Sequence, residues 1–119
     1  MKTRTKAFAV RIIKFYKRLP KTDEARVLGR QVLRSGTSVA ANYRAVCRAK
    51  SQADFISKMG TVVEEADETV FWLECLADNE IVQASLLGDL LREANELLAI
   101  FAASQRTAKE HAKAAKQTY

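Results

Sequence analysis

Apolar residues recur at helical spacing along almost the whole chain, and the pattern separates into four runs. In the first, Phe8, Ile12, Phe15 and Leu19 form one stripe, with Ile13 and Tyr16 beside it. This predicts a helix over about 3–18. Leu19-Pro20 ends it, because the residue before a proline avoids the helical region. Thr22 then offers an N-cap, and Asp23 and Glu24 occupy a first turn where the helix dipole favours negative charge.

The second run contains RSGTSVAANYRAVCRAKS, residues 34–51. Gly36 after Ser35 looks like a helix stop, with Thr37 or Ser38 capping a new helix. Phase argues against a stop. At about 100° per residue, Leu28, Val32, Ser35, Val39, Tyr43 and Val46 stay on one side straight through the glycine. Arg26, Arg30, Arg34, Thr37, Ala41, Arg44 and Arg48 stay on the other. One helix over about 23–49, kinked or loosened near Gly36, is the expectation. The glycine costs about 1 kcal/mol relative to alanine, and close packing against another backbone is the expected compensation. Ser38, Asn42, Ala45 and Ala49 make a third strip of small residues that suits a close neighbour.

Ser51-Gln52-Ala53-Asp54 resembles a capping box with aspartate in place of glutamate, and opens a helix over about 52–77. Met59, Val63, Ala66, Val70, Leu73 and Ala77 form its stripe. Beyond Glu68, however, Phe71, Trp72 and Cys75 point away from that stripe. A helix apolar on both sides is buried on both sides, so a second subunit is the expected cover. After Asp78-Asn79-Glu80, Leu87, Leu90, Ala94, Leu97 and Phe101 predict a fourth helix over about 83–112, with a frayed tail at 113–119. Short connections favour antiparallel neighbours. The expected fold is all-α: a single up-down-up-down four-helix bundle covering residues 1–119.

Composition narrows the class. The 119 residues include one proline and four glycines, which fits a turn-poor globular domain. There is no apolar run of membrane-spanning length. The start MKTRTKAFAV lacks the apolar core of an export signal, so a cytoplasmic protein is expected. Cys47 and Cys75 stand alone, and are expected to be buried structural thiols in a reducing compartment. With His111 the single histidine, neither a zinc site, a di-metal bundle site nor a Ser-His-Asp arrangement can be assembled. Cys47 has Arg44 and Arg48 nearby but no candidate base. No cofactor, no metal and no enzymatic activity are expected.

Charge changes the picture more. Residues 1–50 hold fourteen Lys or Arg against Asp23 and Glu24, whereas residues 51–100 hold two against eleven acids. Such segregation makes separate basic and acidic faces, which attract polyanions or further copies of the same molecule. Arg26, Arg30, Arg34, Arg44 and Arg48 have no glutamate four residues along their own helix to neutralise them. The arginine fork suits phosphate or carboxylate. These five, with Arg11, Lys14 and Arg18 from the first helix, are the candidate RNA- or DNA-binding residues. Ser38, Asn42, Ala45, Glu64, Glu68, Phe71 and Trp72 are the candidate oligomer interface. The Glu64, Glu65 and Glu68 face of a neighbouring subunit is a rival partner for the arginines.

The segment RIIKFYKRLPKTDEARVLGRQVLRSGTSVAANYRAVCRAKSQADFISKMGTVVEEADETVFWLECL resembles the four-helix-bundle proteins encoded in intervening sequences of bacterial 23S rRNA genes, the S23 ribosomal protein family. The similarity spans about residues 8–105. LGRQVLRSGTSVAANYRAVCRAKS and EEADETVFWLE are its specific parts, and Arg30, Arg34, Ser35, Ser38, Asn42, Tyr43, Arg48, Glu65, Glu68 and Trp72 fall on its recurrent pattern. The resemblance implies a homopentameric, barrel-like ring rather than a stoichiometric ribosomal subunit. It also implies kinship with the accessory variability determinant of diversity-generating retroelements, which partners a reverse transcriptase and binds nucleic acid through a basic surface. The expected function is therefore a non-enzymatic, oligomeric nucleic-acid-binding protein. The alternative is a protein-interaction scaffold that docks a partner such as a reverse transcriptase.

Overall fold

The structure, a computed structural model, describes residues 1–117, whose helices are α1 (Lys2–Lys17), α2 (Asp23–Val46), α3 (Gln52–Asp78) and α4 (Ala84–Gln117). No strand occurs among the described residues. The helices form a bundle in which α1 packs on α2, α2 on α3 and α3 on α4, while α1 meets α4 least. None of the helices is long and apolar enough to cross a membrane.

The helix ends follow local chemistry. Thr22 caps α2 by accepting the Ala25 N–H at 3.3 Å. Ser51 caps α3 by accepting the Asp54 N–H at 3.0 Å. Asp54 does not return the bond to Ser51, as a capping box would: its carboxylate accepts from the Lys50 N–H at 3.0 Å and from Lys58 Nζ at 2.7 Å. The α3 terminus closes with Glu80 at φ 55°, its N–H bonded to the Ala77 carbonyl and that of Ile81 to the Leu76 carbonyl. This is the paired-bond stop that normally carries glycine. Helix α2 ends at Val46, three residues before the expected 49. At the other end of the chain α4 stays helical through 113–117, where fraying was expected, and residues 118–119 lie outside the described part. At about 1.5 Å per residue, those 34 residues make α4 about 51 Å long.

The predicted stripes converge on one core. Phe8, Ile12, Val32, Val39, Val62, Leu73, Leu76, Leu87, Leu97 and Phe101 are all buried. Helix α2 runs unbroken through Gly36, with no positive φ at any glycine. The reason for glycine there is a side chain rather than the expected backbone. A Cβ on Gly36 would lie 2.8 Å from Ile12 Cγ1 and within 3.1 Å of two further Ile12 carbons, and one on Gly29 would lie 2.5 Å from Leu19 Cδ1. The cysteines also differ from expectation. Cys47 caps the C-terminus of α2 and is exposed, and Cys75 is only half-buried because it sits on the outer side of α3.

Two polar joints set the register between helices. Ser35 and Thr69, both fully buried, place their hydroxyls 2.9 Å apart between α2 and α3. Each also reaches a carbonyl of its own helix, Gln31 at 2.9 Å and Glu65 at 2.8 Å. With one proton per hydroxyl, one serves the inter-helix bond and the other a carbonyl, so no buried group is left unsatisfied. On the opposite seam, Arg4 of α1 donates two bonds, of 2.9 and 2.7 Å, to the Glu93 carboxylate of α4.

Substituting the glycines should separate their roles. Ile12 is branched and buried, so it cannot yield, and Gly36→Ala is expected to lower unfolding free energy by about 1–3 kcal/mol despite the better helix former. Gly29→Ala should cost less, because Leu19 Cδ1 is the free end of a side chain. Gly88→Ala meets nothing within 4 Å and should stabilise by about 0.5–1 kcal/mol. Urea titration of the three variants measures this order.

Acid should weaken the fold through two carboxylates. Arg4 holds Glu93 below the ordinary glutamate range, and Lys58 with the Lys50 N–H does the same for Asp54. Groups depressed on folding stabilise above their unfolded pKa, about 4, and lose that contribution as pH falls through the folded value. Stability measured from pH 7 to pH 3 should therefore drop at the acid end, and Glu93→Gln should flatten part of the drop.

Candidate nucleic-acid interface

The periodicity of α1 sends its basic residues to two edges. Lys2, Lys6 and Lys17 fall on the edge toward α2, and Arg11, Lys14 and Arg18 on the edge toward α4. Because Ile12 and Leu19 sit directly over Gly36 and Gly29, α1 and α2 approach closely along their length. The first edge therefore shares a surface with the outward arginines of α2.

That shared surface has two depressions. One, of about 280 Å³, is lined by Lys17, Lys21, Arg26 and Arg30, with Tyr16, Leu19, Pro20 and Ala25 as its neutral part. The other, of about 440 Å³, lies toward the opposite end and gathers Lys2, Lys6 and Arg44 around Thr3, Thr5, Ala40 and Ala41. Neither contains an acid. Asp23 and Glu24, the acids nearest in sequence, instead line a separate depression with Val27, Leu28, Asn79 and Ile81. All seven cations are exposed, and among the described residues none of them forms an ion pair. Along α2, Arg30 and Arg44 are separated by about 21 Å at 1.5 Å per residue. That matches the axial run of about six phosphates on one strand of a duplex.

The other candidates lie elsewhere. Arg34 turns toward α3, where Nη1 is 3.3 Å from Glu65 and Nη2 is 3.1 Å from Glu68. The continuous arginine stripe of α2 is thus divided: the carboxylates it lacks on its own helix reach Arg34 from the next one. Arg48 is exposed past the end of α2, in the turn to α3. Arg11, Lys14 and Arg18 surround a cavity of about 330 Å³ between α1 and α4, with Phe15, Leu19, Val82, Leu86, Asp89 and Leu90. They share neither of the α1–α2 depressions. Lys2, Lys6, Lys17 and Lys21 were not among the sequence candidates. Their signal was available in the spacing of 2, 6 and 17, which puts them on one helix edge, but only the packing of α1 on α2 shows that this edge meets the arginines.

The candidate interface residues spread over α2 and α3. Ser38, Asn42 and Ala45 are half-buried, and the Asn42 amide donates to the Ser38 carbonyl at 2.9 Å instead of facing outward unbonded. Glu68 is engaged by Arg34, and Glu64 is exposed. Phe71 is 54% exposed, its ring set edge-on against Trp72 at 4.8 Å. Trp72 packs against the core and its buried Nε1 has no hydrogen-bond partner. Among the described residues, no three His, Cys, Asp or Glu side chains gather as metal ligands.

Comparison with known proteins fits this architecture. The model of the 23S rRNA-intervening sequence protein family matches residues 1–103. The crystal structure of a protein with unknown function from the S23 ribosomal protein family of Bacteroides thetaiotaomicron VPI-5482 superposes with a TM-score of 0.81 at 36% identity, covering 87% of this chain and 96% of that one. No curated protein matches. The chain, bundle and basic seam together, belongs to the 23S rRNA-intervening sequence protein family.

Proposed function

We propose that this protein is a non-enzymatic, homo-oligomeric nucleic-acid-binding protein that grips the phosphates of RNA or DNA with its α1–α2 face. The observation that carries the reading is the pair of acid-free basic depressions along that face, with seven unpaired cations. Counter-ion release by such a row drives sequence-independent binding. Lysine and arginine heads that meet phosphates position the duplex without reading bases. The neutral lining holds one aromatic, the half-buried Tyr16, so base stacking contributes little.

The protomer is read as an antiparallel up-down-up-down bundle. Contacts that run in opposite senses along neighbouring helices support this: Ile12 meets Gly36 and Leu19 meets Gly29, while Gln52 and Gln105 bond the Ala108 and Ile56 carbonyls. Assembly into a ring, pentameric by the family resemblance, is supported by Phe71, the exposed large hydrophobic on a helix whose other large apolar side chains are buried or half-buried. Free cysteines suit the reducing cytoplasm, where such a partner polynucleotide resides.

Fluorescence anisotropy with a structured RNA and a duplex DNA, titrated across salt, tests the reading. Affinity of about micromolar or tighter near physiological salt, falling steeply on a log–log plot as salt rises, is expected. Lys17→Glu with Arg30→Glu should weaken binding at least about tenfold. Arg34→Glu should leave affinity within about threefold and lower stability instead, since Arg34 is occupied by Glu65 and Glu68. No binding even at low salt would falsify the proposal and leave the basic face to a protein partner.

A further inference from the structure

The α1–α4 cavity and the outer side of α3 are complementary, and neither is used by the nucleic-acid reading. The cavity has an apolar floor of Phe15, Leu19, Leu86 and Leu90 with Arg11, Lys14 and Arg18 at its rim. Leu86 is 70% exposed, the most exposed large hydrophobic in the described chain. One acid lies at the mouth, Asp89, and it pairs with Arg92 at 2.8 Å. The rim thus keeps a net positive character around an uncovered apolar surface.

Helix α3 presents the reverse. Phe71 stands out from the helix, and the residues one turn away on the same face are Asp67, Glu68 and Glu74. Glu68 is held by Arg34, while Asp67 and Glu74 are exposed and in no ion pair. The knob is an aromatic within a ring of acids, and the cavity is an apolar floor within a ring of bases. In one chain they cannot meet, because α3 has no packing contact with α1 and the cavity opens on the α1–α4 side.

We infer that the α1–α4 cavity of one protomer receives Phe71 of a second copy, with Asp67 and Glu74 of that copy facing Arg11, Lys14 and Arg18. The inference rests on the assembly reading above and names its surfaces. Two different patches joined in this way make a head-to-tail contact, which each protomer can form once with its cavity and once with its knob. Such contacts build a closed ring when the rotation closes. The cavity of about 330 Å³ accommodates an aromatic side chain, and burying one aromatic and Leu86 removes two of the largest exposed apolar groups from water. The basic α1–α2 face stays open to a polynucleotide.

Sedimentation velocity on two variants tests this. Phe71→Lys removes the knob and Leu86→Lys blocks the cavity; both positions are exposed, so the bundle should retain its helical circular dichroism. Each variant alone should run as a monomer while the unmodified protein runs as a multimer. An equimolar mixture should give a 1:1 dimer and nothing larger, because only one intact knob and one intact cavity remain. Lys14→Glu combined with Asp67→Lys should assemble better than either single change. A multimer in either single variant, or a mixture that stays monomeric, overturns the pairing while leaving self-assembly itself in place. A monomeric unmodified protein overturns both the pairing and the assembly reading. Polynucleotide affinity of the same monomeric variants reports on the α1–α2 face separately.

Discussion

The approach of α1 to α2 at Gly36 is the constraint on which the rest of the molecule depends. Ile12 occupies the space that any side chain at that position would take. Its placement sets the distance between the helices, lets the Phe8, Ile12, Val32 and Val39 core close, and joins two edges of like charge into one face. Like charges gathered so closely oppose folding. The apolar seam beneath them holds the face together.

Charge in this protein is sorted by whether the fold consumes it. Arg4 is consumed by Glu93 and Arg34 by Glu65 and Glu68, each linking neighbouring helices. Half-exposed pairs of this kind contribute little stability each, but they remove two arginines from the surface available to a ligand. The Ser35–Thr69 joint supplies register at the same level of the α2–α3 seam without charge. Two of the unspent sets lie on opposite edges of α1: Lys2, Lys6 and Lys17 with Arg26, Arg30 and Arg44 of α2, and Arg11, Lys14 and Arg18 over an apolar lining. They differ in the exposed apolar surface and the acid beside them: Leu86 stands exposed at the α1–α4 cavity next to Asp89, whereas the α1–α2 depressions contain no acid.

Much of the fold is legible in the sequence. The unbroken phase of Leu28, Val32, Val39 and Val46 through Gly36 was enough to read one helix where local signals suggested two. The caps at Thr22 and Ser51 followed from residue type. What periodicity on a single helix could not give was the identity of its neighbours. It leaves Arg34 with the free arginines and its carboxylate rivals on a neighbouring subunit, because periodicity cannot show that α3 lies beside α2 in the same protomer, and it passes over Lys17 and Lys21 because their value comes from lying across a seam from Arg26 and Arg30. The exposed Cys47 was misjudged for a related reason: burial of a small thiol depends on where the helix ends, and α2 stops one residue before it.

Amine labelling read by mass spectrometry, with and without a bound RNA duplex, tests the central claim most directly. Lys2, Lys6, Lys17 and Lys21 should lose reactivity when the duplex is present, while Lys14 and Lys58 keep theirs. Protection centred on Lys14, or equal protection of every lysine, would contradict a binding face built from the α1–α2 seam.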